Sequence, residues 1–330
     1  MLAPLDIASL QLDGVMLTRD LEALGIHPTR VAELVRSGSL IRIRRGAYVR
    51  ASAWASASRD EQHRMLVRAT DGLHSRRLVF SHYAAAALHG LPLIGAWPQR
   101  VHVLDSAAAG GSSMPGLFVH RTTAPRSVET IGSLTVTSID RTLVDIGITA
   151  SHLVAVTMMD FALHSGLATT ETLLEELAYV SPGRGGKKAA SAIYFADGRS
   201  ESVGESLSRV RMQQLGFEPP DLQVRFRDQQ GLNAVVDFAW DAGRVVGEFD
   251  GREKYLNPKL TRGRSADLVV LDEKAREDRI RTQVDRFIRW GWEMAFDASR
   301  FGPFLERNGV PRRRTATFPT VGQVSKGGRR

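Results

Sequence analysis

Three carboxylates on two adjacent strand-like segments are the residues of this 330-residue sequence whose types and spacing could do chemistry. In the segment 233–240, NAVVDFAW, strand alternation puts Val236, Phe238 and Trp240 on one face and Val235 and Asp237 on the other. Glu248 and Asp250, two apart in the next segment, share a face, so pairing of the two strands would gather three acids at one sheet edge. Like charges at that separation repel unless a cation neutralises them, and a set of hard oxygens suits Mg2+ or Mn2+. Glu205, on the preceding helix, offers a fourth carboxylate. Lys254 and Lys274, two of only six lysines, are placed to stabilise charge on a scissile phosphate or to orient an attacking water. The metal pair would be Asp237 and Glu248, with Glu205, Asp250, Lys254 and Lys274 completing the catalytic set. The opposite reading is a web of salt bridges to Arg252, Arg276, Arg279 and Arg281 on a scaffold used only for binding. Lys274, Asp278 and Arg281 share one helix face at i, i+4 and i+7, which serves either reading.

A second set of candidates is basic. Residues 36–50 hold five arginines and no acid. The segment 15–25, VMLTRDLEALG, predicts a short helix capped by Thr18 and stopped at Gly25, and 27–38, HPTRVAELVRSG, predicts another that buries Val31, Leu34 and Val35. Two short helices joined by about three residues suggest a helix-turn-helix. The following LIRIRRGAYVR, 40–50, alternates Ile41 and Ile43 with Arg42 and Arg44 and turns at Arg45-Gly46, which is a basic hairpin or wing. Arg30, Arg36, Arg42, Arg44 and Arg45 are the expected DNA contacts, made first to phosphates. His82 and His89, seven apart, read better as hydrogen-bonded core histidines than as a metal pair. Arg141 and Asp145, at i and i+4, read as a buried ion pair. The basic, Gly-rich stretch 181–188, SPGRGGKK, lacks the GxxxxGK[ST] pattern and reads as a linker.

The elements that must position these residues form an α/β multidomain chain. Residues 1–50 make the winged helix-turn-helix. Residues 51–196 make a mixed α/β middle domain and linker, with helices expected at 59–75, 81–89, 139–146 and 153–180 and strands near 100–104, 117–121 and 134–137. Residues 197–306 follow with a helix, three strands, a helix expected at 272–290, a strand at 292–297 and a last short helix. The tail 307–330 has seven basic residues and no acid, is polar, and is expected to be disordered. It carries most of the net charge of +8 and leaves the body near neutral, with 17 basic against 19 acidic residues in 201–306. No cysteine is present, which excludes disulfide frameworks, zinc fingers, iron–sulfur clusters and thiol nucleophiles, so no structural zinc is expected. No apolar run is long enough to span a membrane and no secretion signal is evident, so a cytoplasmic location and no membrane partner are expected.

Two resemblances extend this reading. Glu205, Asp237, the Glu248-Phe249-Asp250-Gly251 run, the helix start Glu273-Lys274-Ala275-Arg276 and Gly291-Trp292 resemble, as a set over about 201–298, PD-(D/E)xK nucleases similar to very-short-patch-repair endonucleases. That resemblance implies a restriction-endonuclease-like fold and Mg2+- or Mn2+-dependent phosphodiester hydrolysis. Asp250 stands where the family has its lysine, leaving that role to Lys254 or Lys274, and all nine histidines lie at or before His164. Residues 10–180 resemble AbiEi-type antitoxins through Ser81-His82-Tyr83-Ala84-Ala85-Ala86-Ala87-Leu88-His89-Gly90 and Asp140-Arg141-Thr142-Leu143-Val144-Asp145. This second resemblance implies DNA binding, repression of the protein's own promoter and a cognate toxin as partner. Two functions are therefore in view. One is a DNA-binding protein with a metal-dependent endonuclease-like domain; the alternative is a non-catalytic repressor or antitoxin with a degenerate nuclease fold.

Overall fold

The computed structural model describes residues 14–105, 113–122, 127–181, 183–228, 231, 233–251 and 266–313, with the backbone alone at 113–114 and 266–273. The chain divides into two compact units, residues 1–206 and 207–330.

The first unit opens with β1 (Met16–Leu17), α1 (Thr18–Ala23), α2 (Pro28–Arg36), β2 (Leu40–Arg44) and β3 (Ala47–Arg50). The strands lie in the order β1-β3-β2, antiparallel throughout, against a core of Met16, Leu21, Ile26, Val31 and Leu40. This is the layout of a winged helix, with β2 and β3 as the wing. The cap of α1 is not Thr18: Asp20 accepts the Leu17 N–H at 3.4 Å, so the helix starts one residue sooner. At α2, the His27 ring accepts the Thr29 N–H and Pro28 sits in the first turn, where its missing N–H is harmless.

Two helices, α3 (Ala51–Ser56) and α4 (Arg59–Leu73), lead into a six-stranded sheet in the order β6-β7-β5-β4-β9-β8. Its strands are β4 (Val79–Phe80), β5 (Val101–Asp105), β6 (Ser113–Met114), β7 (Leu117–Arg121), β8 (Val128–Ile131) and β9 (Leu134–Thr137). The short strands β4, β6 and β8 carry too few residues to show a period. Helix α5 (His82–Leu88) packs its alanines on this sheet, and α6 (Ile139–Thr149), α7 (His152–His164), α8 (Thr170–Val180) and α9 (Gly186–Phe195) follow. Ser138, Ser151 and Thr169 cap α6, α7 and α8 by accepting N–H groups of their first turns. The single helix expected over 153–180 is thus two, broken where Gly166 adopts φ 66°. The expected linker 181–188 also differs: Gly185, at φ 84°, begins α9, so Lys187 and Lys188 lie in a helical first turn. Helix α10 (Val203–Gln214) spans the boundary between the units.

The second unit runs β10 (Asp221–Arg227), β11 (Asn233–Trp240), β12 (Val245–Phe249), α11 (Ala266–Arg281), β13 (Arg286–Trp290), α12 (Trp292–Phe296) and α13 (Ala298–Arg307). Its sheet has the sequential order β10-β11-β12-β13, antiparallel except for the parallel pair β12–β13. On one face Phe238, Trp290 and Phe301 pack ring to ring, and Trp290 Nε1 donates to Ser208 Oγ at 2.9 Å. Gly247 makes room for them, since a Cβ there would lie 2.5 Å from the Trp290 ring. Val246, Ile280 and Phe287 cluster elsewhere in the core. Two expectations are corrected here. The helix expected through 290 ends at Arg281, and Arg286–Trp290 is a strand instead, because β12, buried along its whole length, requires a partner. Trp292–Phe296, expected as a strand, is the short helix α12 beginning after Gly291.

The start of the basic tail is folded as well. Val310 is buried, Arg312 donates to the Leu215 carbonyl at 2.6 Å and lies over the Phe217 ring, and Arg313 N–H donates to the Gly216 carbonyl. The rest of the tail, 314–330, lies outside the described residues, as do Arg252 and Lys254.

Candidate nucleic-acid interface and acidic cluster

The winged helix presents four of its five predicted arginines. Arg30, Arg36, Arg42 and Arg45 are exposed on α2 and on the wing. Arg30 is held by Glu33 at 2.9 Å, an exposed i, i+3 pair of small energetic weight that leaves its guanidinium available. Arg36, Arg42 and Arg45 pair with no carboxylate among the described residues. Exposed guanidiniums on a short helix and a hairpin tip suit phosphate contacts, whose strength would follow ionic strength.

Arg44 departs from the expectation. It donates to the backbone carbonyls of Gln99 at 2.9 Å and Gly116 at 3.3 Å, which fastens the wing to the loops of the middle sheet. A β-bulge between Arg42 and Arg44 breaks the alternation, so side chains two apart in sequence do not share a direction. Gly116, at φ 79°, lies so close that a Cβ there would be 2.8 Å from Arg44 Nη1. Arg44 is a structural strut, and its burial lowers its guanidinium pKa from the usual value.

The acids of the second segment are engaged one by one. Glu248 is 7% exposed; its Oε1 accepts from Arg276 at 2.6 Å and its Oε2 from Arg289 at 2.7 Å. Arg289 also reaches Glu277 at 3.4 Å, and Glu277 holds Arg281 at 2.7 Å, so charge alternates through the network. Asp237, one step beyond the Phe238–Gly247 pair of the β11–β12 ladder, accepts the Phe249 N–H at 2.7 Å. Asp250 follows the end of β12, where its N–H donates to the Trp290 carbonyl, and it borders an open cleft with Arg289, Trp292 and Arg300. Glu205 is buried and caps its own helix: it accepts the Glu201 N–H at 3.0 Å and the Ser202 hydroxyl at 2.7 Å, while the Ser202 oxygen accepts the Glu205 N–H.

Lys274 is exposed on α11, and Lys254 lies outside the described residues. Arg279 binds Asp228 instead of the strand acids. Among the described residues, no three of these carboxylates approach closely enough to hold one ion. Glu248 is also a poor seat for a hard divalent cation, because both its oxygens already receive guanidinium hydrogen bonds and no net negative charge remains to be neutralised.

The middle domain holds a polar core that the sequence shows only in part. Arg141 donates to Asp145 at 2.9 Å, the buried ion pair that their spacing predicts. His89 binds the Thr137 carbonyl at 2.8 Å, far from any pairing with His82. His82 instead meets His102 and His120, residues on β5 and β7 that the sequence reading passed over. Strand alternation could have put each on a sheet face, but the pairing of β5 with β7 is not written in either segment.

Comparison with known proteins bears on the two ends differently. The family model described as "Transcriptional regulator, AbiEi antitoxin" matches residues 4–51. Two uncharacterized proteins of Mycobacterium tuberculosis, one from each of two strains, are 28% identical over 224 residues, covering 68% of this chain and 78% of theirs. The winged helix thus lies within the segment that is similar to AbiEi antitoxin transcriptional regulators. No helix among the described residues is long and apolar enough to cross a membrane.

Proposed function

We propose that this chain is a DNA-binding transcriptional regulator of the antitoxin kind, and that its C-terminal α/β unit, residues 207–313, binds without cleaving. The observation that carries the reading is the winged helix of residues 16–50, with Arg36, Arg42 and Arg45 exposed on α2 and the wing, inside a segment similar to AbiEi antitoxin regulators. Its natural site is the promoter of its own gene, and a cognate toxin is the second partner.

The non-catalytic reading of the C-terminal unit is supported by the guanidinium cage around Glu248 and by the aspartate at the family's lysine position. The helix–three strands–helix–strand order of α10 to β13 favours descent from a nuclease-like scaffold, the fold on which Mg2+ or Mn2+ would serve if the unit cut DNA. Fluorescence anisotropy with DNA from upstream of its own gene tests the proposal. Sequence-selective binding that weakens steeply with salt, lost in Arg42→Ala/Arg45→Ala, is expected. Metal-dependent nicking of plasmid that disappears in Glu248→Ala would overturn the non-catalytic half, and absence of DNA binding would overturn the whole.

A further inference from the structure

His82, His102 and His120 gather where α5 meets the neighbouring strands β5 and β7, with one ligand nitrogen from each, all within 4.8 Å of one another. The strands bring two of them together. The parallel β5–β7 ladder pairs Leu104 with His120 and His102 with Phe118, so the two histidines are diagonal neighbours, and His102 Nδ1 lies 3.0 Å from His120 Nε2. His82 arrives from the first turn of α5, its ring stacked on His120 with centroids 3.5 Å apart.

The third ring is placed there at a conformational cost. His82 has φ 49°, a left-handed backbone that a non-glycine residue adopts only where its surroundings enforce it, and such strain concentrates at functional positions. Behind it stands Asp145. Its Oδ1 accepts from Arg141, whereas its Oδ2 is fully buried, has no hydrogen-bond partner and lies 3.8 Å from His82 Nδ1, a nitrogen that also lies 3.0 Å from Ser81 Oγ. A carboxylate behind an imidazole is the usual outer support of a metal-bound histidine, fixing its tautomer and orientation.

We infer that His82, His102 and His120 form a binding site for a borderline transition-metal ion of the Zn2+ type, with Asp145 as the supporting carboxylate behind His82. Three imidazoles match the ligand preference of Zn2+, Co2+ or Ni2+ and not that of Mg2+. At Zn–N distances of about 2.0–2.1 Å, tetrahedral ligands sit roughly 3.3 Å apart. The His102–His120 pair, hydrogen-bonded at 3.0 Å, therefore has to exchange that bond for the ion and open by a few tenths of an ångström, and the His82 ring, stacked within 10° of parallel on His120, has to turn out of the stack to meet the same ion. His102 and His120 are half-buried and Phe118 beside them is exposed, which leaves the ion a way in. In a chain without cysteine, imidazole is the side chain best suited to such a borderline ion.

The test uses the full-length chain, stripped with chelator and titrated with Zn2+ or Co2+. One ion per chain is expected, with a melting temperature raised by several degrees by Zn2+ and unmoved by Mg2+, and with the visible absorption of cobalt in a low-coordinate nitrogen site. His102→Gln and His120→Gln, substitutions at half-buried positions, should each lose the cobalt spectrum and at least tenfold in affinity. His89→Gln should keep both. Since His82→Gln disturbs a strained helix start, His102 and His120 carry the decision. Absence of Zn2+ and Co2+ binding at tens of micromolar, or unchanged binding and spectra in both the His102 and His120 variants, would overturn the assignment.

Discussion

Replacing Glu248 by glutamine changes one charge and almost no volume, and the structure sets the sign of the result. The wild-type carboxylate is 7% exposed and binds Arg276 at 2.6 Å and Arg289 at 2.7 Å. Removing one partner of a buried ion pair costs about 3–5 kcal/mol, because the remaining charge stays desolvated. Here the two arginine side chains keep 30% and 27% of their exposure, and glutamine still offers a carbonyl to one of them. Water therefore recovers part of the loss, and about 1.5–3 kcal/mol is expected. In a unit with about 90 described residues, each kcal/mol moves the melting temperature by about 4–8 °C, so the unit should melt on the order of 10 °C lower. The assay is a set of thermal melts of wild type and Glu248→Gln, in chelator and in millimolar Mn2+. A carboxylate cluster awaiting a cation predicts the opposite pattern: relief of repulsion, equal or higher stability in chelator, and a Mn2+ effect in the wild type alone. That pattern would refute the ion-pair argument and restore the metal site at Asp237 and Glu248.

The wing separates two kinds of arginine. Arg42→Ala/Arg45→Ala should reduce the salt slope of DNA binding by about 2 at unchanged melting temperature, at about 0.9 per phosphate contact, whereas Arg44→Ala should chiefly lower the melting temperature; a reversed pattern would reject the strut. Truncation after Arg307 removes the buried Val310 and the Arg312 contacts to Leu215 and Phe217, so it should destabilise the second unit, while truncation after Arg313 should not, as read by chemical denaturation. Burial pushes the His63 imidazole down to about 4, and both its ring nitrogens are buried without partners. Above about pH 6.5 it is neutral whether folded or not; as pH falls from there toward 4 only the unfolded chain takes up the proton, so stability is lost across that window. His63→Phe, which keeps the stacking on Trp97, should make this acid loss shallower in melts between pH 7 and 4, and an unaltered slope would remove His63 from the account.

Local chemistry made much of the fold readable. Pro28, Ser138 and Ser151 mark helix starts through groups that act within a few residues, and the wing follows from alternation closed by Gly46. The S-x-x-E run Ser202–Glu205 also announces a helix start, which is where Glu205 spends its charge. What could not be read depends on distant partners. Arg286–Trp290 carries apolar and charged residues in a mixture that suits helix or strand, and the hydrogen-bonding edge of the buried strand β12 decides between them. The three acids look convergent because only their own strands are visible in sequence; the guanidiniums that satisfy Glu248 come from α11 and β13. Likewise His102 and His120 are single residues in apolar runs until β5 and β7 pair.

The strut at Arg44 also bears on how tightly a small domain can hold DNA. A wing is ordinarily a hairpin whose tip moves, and immobilising it on the duplex takes conformational entropy from the binding free energy. In this protein the hairpin is tied to the Gln99 and Gly116 carbonyls before any DNA arrives. Arg42 and Arg45 are then presented from a frame already at rest, so association should proceed with little ordering and with a heat-capacity change set by the contact area alone. Stiffness also has a selective side: a wing that cannot bend to follow its site discriminates against duplexes whose groove width does not fit it, and so reads DNA shape without touching a base.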